Sequence, residues 1–249
     1  MKHQDILNAI LDELDSIPDH PVTNLISGSH IVAVESARLG IATWAIGKHP
    51  LPADYLPEKN LPESAKKLAR FLLSPDPIRA SLGMAAVNSL LPDPPAGELI
   101  DRNASDLILE YGKGKNVAVI GHFPFVEKMG DQFAQFWVLE KYPRPGDIDA
   151  GQSPDVLPQS DLVAITATTL ANGTLGEILS HVSSNAVKIM VGPSTPMARV
   201  LFHMGFCALA GSIVSDKPTA QICIASGCPF RMVKGVTHVL WGGGKIIFP

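Results

Sequence analysis

His122 stands directly behind the apolar run 117–120, in the loop Gly121-His122-Phe123-Pro124-Phe125. Such a run reads as a buried parallel strand, and parallel sheets bind their ligands beyond the carboxyl ends of the strands. An imidazole in that position can transfer a proton near neutrality, ligate a metal ion, or hydrogen-bond a neighbouring carbonyl. Two further loops follow apolar runs in the same way. Ala171-Asn172-Gly173-Thr174, after 162–166, places an amide and a hydroxyl at a helix start, where N–H groups can hold a carboxylate, a phosphate or a carbonyl. Thr174 with Glu177 also fits a capping box, whereas Asn172, with donors and acceptors both, is the better ligand contact. Gly192-Pro193-Ser194-Thr195-Pro196, after 187–191, sets two hydroxyls on a proline-stiffened turn. They can orient a small molecule or anchor a helix beginning at Pro196. The expected pocket is therefore lined by Gly121, His122, Phe123, Asn172, Gly173, Thr174, Gly192, Ser194 and Thr195. Asn88, within the small-residue stretch 83–89, and Glu35, at the end of the run 31–35, are the candidates for its opposite side. For Asn88 the alternative is a bond to neighbouring backbone, and for Glu35 a solvated carboxylate.

The same loops exclude several chemistries. A dinucleotide fold needs glycines where its first strand turns, and here Phe123, Pro124 and Phe125 fill the space of a pyrophosphate, so NAD and FAD are disfavoured. Neither Ser194 nor Thr195 has a Ser-His-Asp context, and no Gly-x-Ser-x-Gly elbow occurs. The run Trp241-Gly242-Gly243-Gly244-Lys245 is followed by Ile246 rather than Ser or Thr, which favours a terminal hairpin turn over a P-loop. Cys207, Cys223 and Cys228 lack zinc-finger spacing and read as free thiols, with Cys228 in a turn. No dense cluster of metal ligands is visible, so the identity of any metal stays open. A net charge of −4 with scattered cations offers no track for a nucleic-acid backbone. The amino end lacks a signal-peptide core and no window is apolar enough for a membrane span, so a cytosolic protein is expected.

The elements that must position these residues divide at the proline-rich stretch 92–97. Before it, spacing predicts a helix over 5–14, an antiparallel meander over 22–27, 31–35 and 39–45, and helices over 63–72 and 77–90. Asp76 caps the last of these and Pro77 occupies its first position. After it, apolar runs at 117–120, 136–139, 162–165, 187–191, 207–210 and 237–241 alternate with helical segments such as 176–182 and 196–204. That is the pattern of a parallel sheet covered on both faces, so the expected fold is α/β, with a small domain over 1–95 and a Rossmann-like domain over 96–249. The exposed edge of the meander could pair two copies in a homo-oligomer.

The meander with its helices, the segment 83–89 and the loops at 121–125, 171–174 and 192–196 together resemble the bacterial and archaeal family described as "putative heavy-metal chelation" proteins, over nearly the whole chain. The resemblance implies a small α+β domain like the amino-terminal domain of enolase, then a Rossmann-like domain with partial similarity to methyltransferases. It also implies a site in the cleft between them. The implied role is handling a metal chelator, or making or hydrolysing a pterin-, flavin- or siderophore-like molecule, with a divalent or heavy-metal ion as companion. Three readings stay open: a catalyst with His122 as acid/base, a non-catalytic delivery protein, and an S-adenosylmethionine-dependent methyltransferase.

Overall fold

The computed structural model describes residues 1–45 and 62–243. Helix α1 (His3–Glu13) forms where apolar residues recur at three and four positions, and Ile6, Leu7, Ile10 and Leu11 are all buried. Strands β1 (Asn24–Ser27), β2 (Ile31–Glu35) and β3 (Leu39–Thr43) make the expected antiparallel meander, in that order. Both faces of β2 are covered. Val32 and Val34 join the main core, while Ile31 and Ala33 pack with Ala220 and Ile224 from late in the chain, which is why the strand shows no polar alternation.

Helix α2 (Ala65–Ala69) tightens into a 3-10 turn over Arg70–Leu73, so only part of the helix expected at 63–72 is α-helical. Helix α3 (Pro77–Leu90) begins as read: the Asp76 carboxylate accepts the Ile78 N–H at 3.0 Å and Pro77 sits in the first turn. It is buried on nearly all sides and lies unusually close to its neighbours. A Cβ on Gly83 would stand 2.1 Å from the Leu72 nitrogen, and one on Gly40 2.2 Å from the Ser89 nitrogen. Only glycine permits either approach.

Beyond the prolines come α4 (Ala104–Gly112), β4 (Asn116–Ile120), β5 (Gln135–Glu140), β6 (Ile148–Asp149), α5 (Ser153–Val156), β7 (Leu162–Thr166), α6 (Thr168–Ala171), α7 (Leu175–His181), β8 (Val187–Val191), α8 (Val200–His203), β9 (Phe206–Val214), α9 (Lys217–Ala225) and β10 (Val236–Trp241). The seven strands run in the order β10-β9-β8-β7-β4-β5-β6, all pairs parallel except β10 with β9. In chain order this is 3-2-1-4-5-6 with a seventh, antiparallel strand on the edge, the Rossmann arrangement. Its topological switch point lies between β4 and β7.

Strand β6, only two residues long, has no counterpart in the sequence reading. The helix expected over 196–204 is also shorter, because the N–H groups of Arg199 and Val200 are taken by the Glu13 carboxylate of α1 at 2.8 Å each and the helix starts there. The thiols of Cys207, Cys223 and Cys228 are free and partly buried. The turn expected at 241–245 reaches beyond Gly243 and lies in part outside the described residues. Among the described residues no helix is long and apolar enough to cross a membrane.

The two sheets share one core. Val34 and Leu82 belong to the same buried cluster as Ile165 and Leu175. Helix α1 is bolted onto the large sheet's side through His3, whose Nε2 bonds the Leu170 carbonyl at 3.2 Å while Nδ1 accepts the Gly176 N–H at 3.4 Å. That pairing fixes a neutral ring with its proton on Nε2. Burial, partly offset by the bond to Leu170, holds the His3 pKa below its ordinary value.

Candidate functional site at the switch point

Gly121 ends β4 with φ at +98°, turning the chain so that His122 leaves the sheet over the switch point. The loop is fixed from β5. The two carboxylate oxygens of Glu140 accept the N–H of His122 at 2.9 Å and that of Lys141 at 2.7 Å. In many Rossmann folds the acid ending the second strand holds a ribose hydroxyl. Here backbone amides occupy it.

The His122 ring is held in turn by Asp147, with Nδ1 at 2.9 and 3.0 Å from its two oxygens. Asp147 is itself positioned by the turn 143–147, in which its carboxylate accepts the Arg144 N–H at 3.0 Å. Both side chains are buried, His122 being 8% and Asp147 4% exposed. A carboxylate can only accept, so Nδ1 carries the proton, and in the neutral ring Nε2 presents a lone pair. Nε2 is buried and makes no hydrogen bond among the described residues. The exposed Glu127 carboxylate lies 3.6 Å from it.

His122 lines a cavity of about 450 Å³ with Glu140, Lys141, Ser153, Thr168, Asn172 and Glu177. Across it the loop after β7 is ordered by its own hydroxyls. Thr166 and Thr168 bond at 3.0 Å, and Thr169 donates to the Thr166 carbonyl at 2.7 Å. Asn172 Oδ1 accepts both the N–H and the hydroxyl of Thr174, at 3.1 and 2.7 Å. The Thr174–Glu177 capping box is therefore not formed: the Thr174 hydroxyl is turned toward Asn172, and α7 begins without a side-chain cap. A second cavity of about 390 Å³ has Glu140, Lys141, Thr168 and Asn172 in common with the first, and adds Trp44, Asp76 and Ile78 from the antiparallel lobe.

Of the residues singled out from sequence, Gly121, His122, Phe123, Asn172 and Thr174 line the first cavity, and Gly173, with φ at +84°, is the exposed turn between the last two. The loop after β8 faces elsewhere. Ser194 Oγ accepts the Thr43 N–H at 2.8 Å, and Thr195 Oγ1 donates to the Gly192 and Ala210 carbonyls at 2.7 and 2.9 Å. Both side chains are buried at a seam between the lobes. Asn88 bridges the same seam, donating to the Ile41 carbonyl at 2.8 Å and the Ser194 carbonyl at 3.3 Å, and with Thr195 it lines a small cavity of about 260 Å³ there. Gly192 lies behind Phe123, a Cβ there standing 3.7 Å from the ring. Glu35 is remote from the cavity, paired with Lys217 at 2.7 Å and Gln221 at 2.8 Å. Sequence reasoning missed Asp147, Glu140, Lys141 and Glu127. The acid at the end of the second Rossmann strand was a findable signal for Glu140, and the Pro-Arg-Pro-Gly-Asp turn a weaker one for Asp147.

A small antiparallel lobe joined to a Rossmann-ordered sheet, with a buried His–Asp pair at the switch point, defines a two-lobed α/β protein of Rossmann-like type. Residues 103–239 match the model of the DUF364 family, described as "Putative heavy-metal chelation", and residues 11–91 match that of DUF4213, which carries the same description. The first match spans more than half of the chain, which therefore belongs to the DUF364 family. An uncharacterised protein of Methanocaldococcus jannaschii is 27% identical over 185 residues, 72% of this chain and 70% of its own length. A DUF364 crystal structure from Desulfitobacterium hafniense, of unknown function, matches with a TM-score of 0.81 at 26% identity, covering 96% of this chain and 98% of that one. Another from Pyrococcus horikoshii, also of unknown function, matches at 0.76 and 18% identity over 96% and 99%, a likeness of fold alone.

Proposed function

We propose that this chain binds a small polar molecule, able to carry a metal ion, in the cavity beside His122, and that His122 acts there as general base in its hydrolysis or condensation. The observation that carries the reading is the His122–Asp147 pair. A buried carboxylate holds the orientation of a ring whose other nitrogen has no hydrogen-bond partner among the described residues, the arrangement used both for proton transfer and for metal ligation. The adjoining cavity extends the site to Trp44 and Asp76, which supports a ligand held between the lobes. Toward a metal ion, His122 Nε2 and the Glu127 carboxylate offer two donors, and a chelating ligand supplies the others. The occupation of Glu140 by backbone amides weighs against the methyltransferase reading, which needs that acid for a ribose.

Thermal shift against a pterin and a catecholate, each with and without zinc, tests the proposal. At least one combination is expected to raise the melting temperature of the natural chain by several degrees and to leave His122→Asn unmoved. That variant retains a donor at the Nδ1 position for Asp147 and removes Nε2. Absence of any shift in the natural chain, or an equal shift in the variant, contradicts the reading. Non-catalytic delivery is the second reading, favoured by Glu127 beside Nε2. It predicts binding that persists without turnover of the bound compound.

A further inference from the structure

We infer that a separate cavity, on the far side of Phe123 from His122, is a binding site for a flat aromatic anion of the nucleotide type. The cavity holds about 360 Å³, within the range of small-molecule sites. Two aromatic pairs wall it. Phe123 and Phe125 stack with centroids 5.2 Å apart and planes 6° from parallel, and Phe230 meets His238 edge to face at 5.6 Å. Between them the sheet contributes Gly192, Ala210 and Gly211, whose small size leaves a slot open for a planar ring.

Charge decides what the ring must carry. Arg102 and Arg231 both line the cavity and, among the described residues, no Asp or Glu does, although acids outnumber bases in the chain, 24 to 20. Arg102 is already paired with Glu110, whereas Arg231 has no ion pair among the described residues and is exposed at the rim. Asn103, at the cap of α4, makes no side-chain cap bond, so the N–H groups of Ala104 and Ser105, which line the cavity, add donors beside the arginines. An aromatic slot with a cationic rim selects a ring bearing phosphate over a neutral ring or a free anion.

Calorimetric titration with ADP and with FMN tests this, using adenosine and pyrophosphate as the halves of the first and riboflavin and phosphate as those of the second. ADP or FMN is expected to bind at least about tenfold more tightly than either half. Arg231→Glu should weaken binding by about tenfold or more and Phe230→Ala by about fivefold. His122→Asn should bind as the natural chain does, which keeps this site distinct from the first. The inference is overturned if neither nucleotide binds at millimolar concentration, or if Arg231→Glu binds unchanged. Loss of binding in His122→Asn also overturns it, because the nucleotide then occupies the first cavity.

Discussion

The loops after β4 and after β8 end parallel strands of one sheet, and each presents a polar side chain within two residues of a positive-φ glycine, yet they do opposite things. In the loop after β8 the polar side chains are bonded within the protein: Ser194 accepts from Thr43, Thr195 donates to backbone carbonyls, and Asn88 bridges the seam. In the loop after β4 the surrounding groups hold His122 in place while leaving Nε2 without a hydrogen-bond partner among the described residues. Hydrogen bonds made across the lobes mark a joint, and a well-held group with one atom unused among the described residues marks a candidate site. Position at a strand end is common to both and cannot tell them apart.

Substitutions sharpen that contrast, beginning with the largest effect. His122→Asn should lower any turnover of the bound compound by about 100-fold or more, the usual worth of a positioned acid/base, while the urea midpoint moves little. Asn88→Ala should do the reverse. It strands the carbonyls of Ile41 and Ser194, costs about 1–3 kcal/mol in urea unfolding, and leaves ligand affinity near that of the natural chain. If both variants lost stability alike and neither lost function, the distinction between joint and site would fail. Asn172→Ala falls between them. Losing the acceptor for Thr174 should loosen the loop after α6 and weaken binding by about fivefold, about 1 kcal/mol, as read by calorimetry.

The smallest effect concerns pH. Burial lowers the folded-state pKa of His3, so the unfolded chain binds the extra proton first as pH falls below about 6.5. Stability from this group is therefore complete above that pH and declines as acid approaches the folded-state pKa, where protonated Nδ1 can no longer accept from Gly176. Urea midpoints at pH 7.5 and 5.5 should show the decline in the natural chain and a reduced one in His3→Gln. An equal decline in both would assign it to other groups.

Much of the fold was legible because its signals are local. Asp76-Pro77 marked the start of α3 to the residue, and the unbroken apolar runs marked the long strands of the parallel sheet. Where the reading stopped short, distant partners decide the outcome. Glu13 sets the start of α8 from 186 residues away, and Glu35 finds Lys217 across 182. Nothing near either position in sequence announces these pairs. The candidate site followed the same rule: strand-end position brought His122, Asn172 and Thr174 to one cavity, whereas Asp147 reaches His122 from a turn 25 residues later and became visible only with the chain folded.

The most direct measurement is mass spectrometry of small molecules released by heat from the purified natural chain, His122→Asn and Asn88→Ala. A compound present in near-stoichiometric amount in the natural chain, retained by Asn88→Ala and depleted from His122→Asn, is the expected result. The same compound at equal level in His122→Asn, or its loss from Asn88→Ala alone, would contradict the assignment of the site to His122.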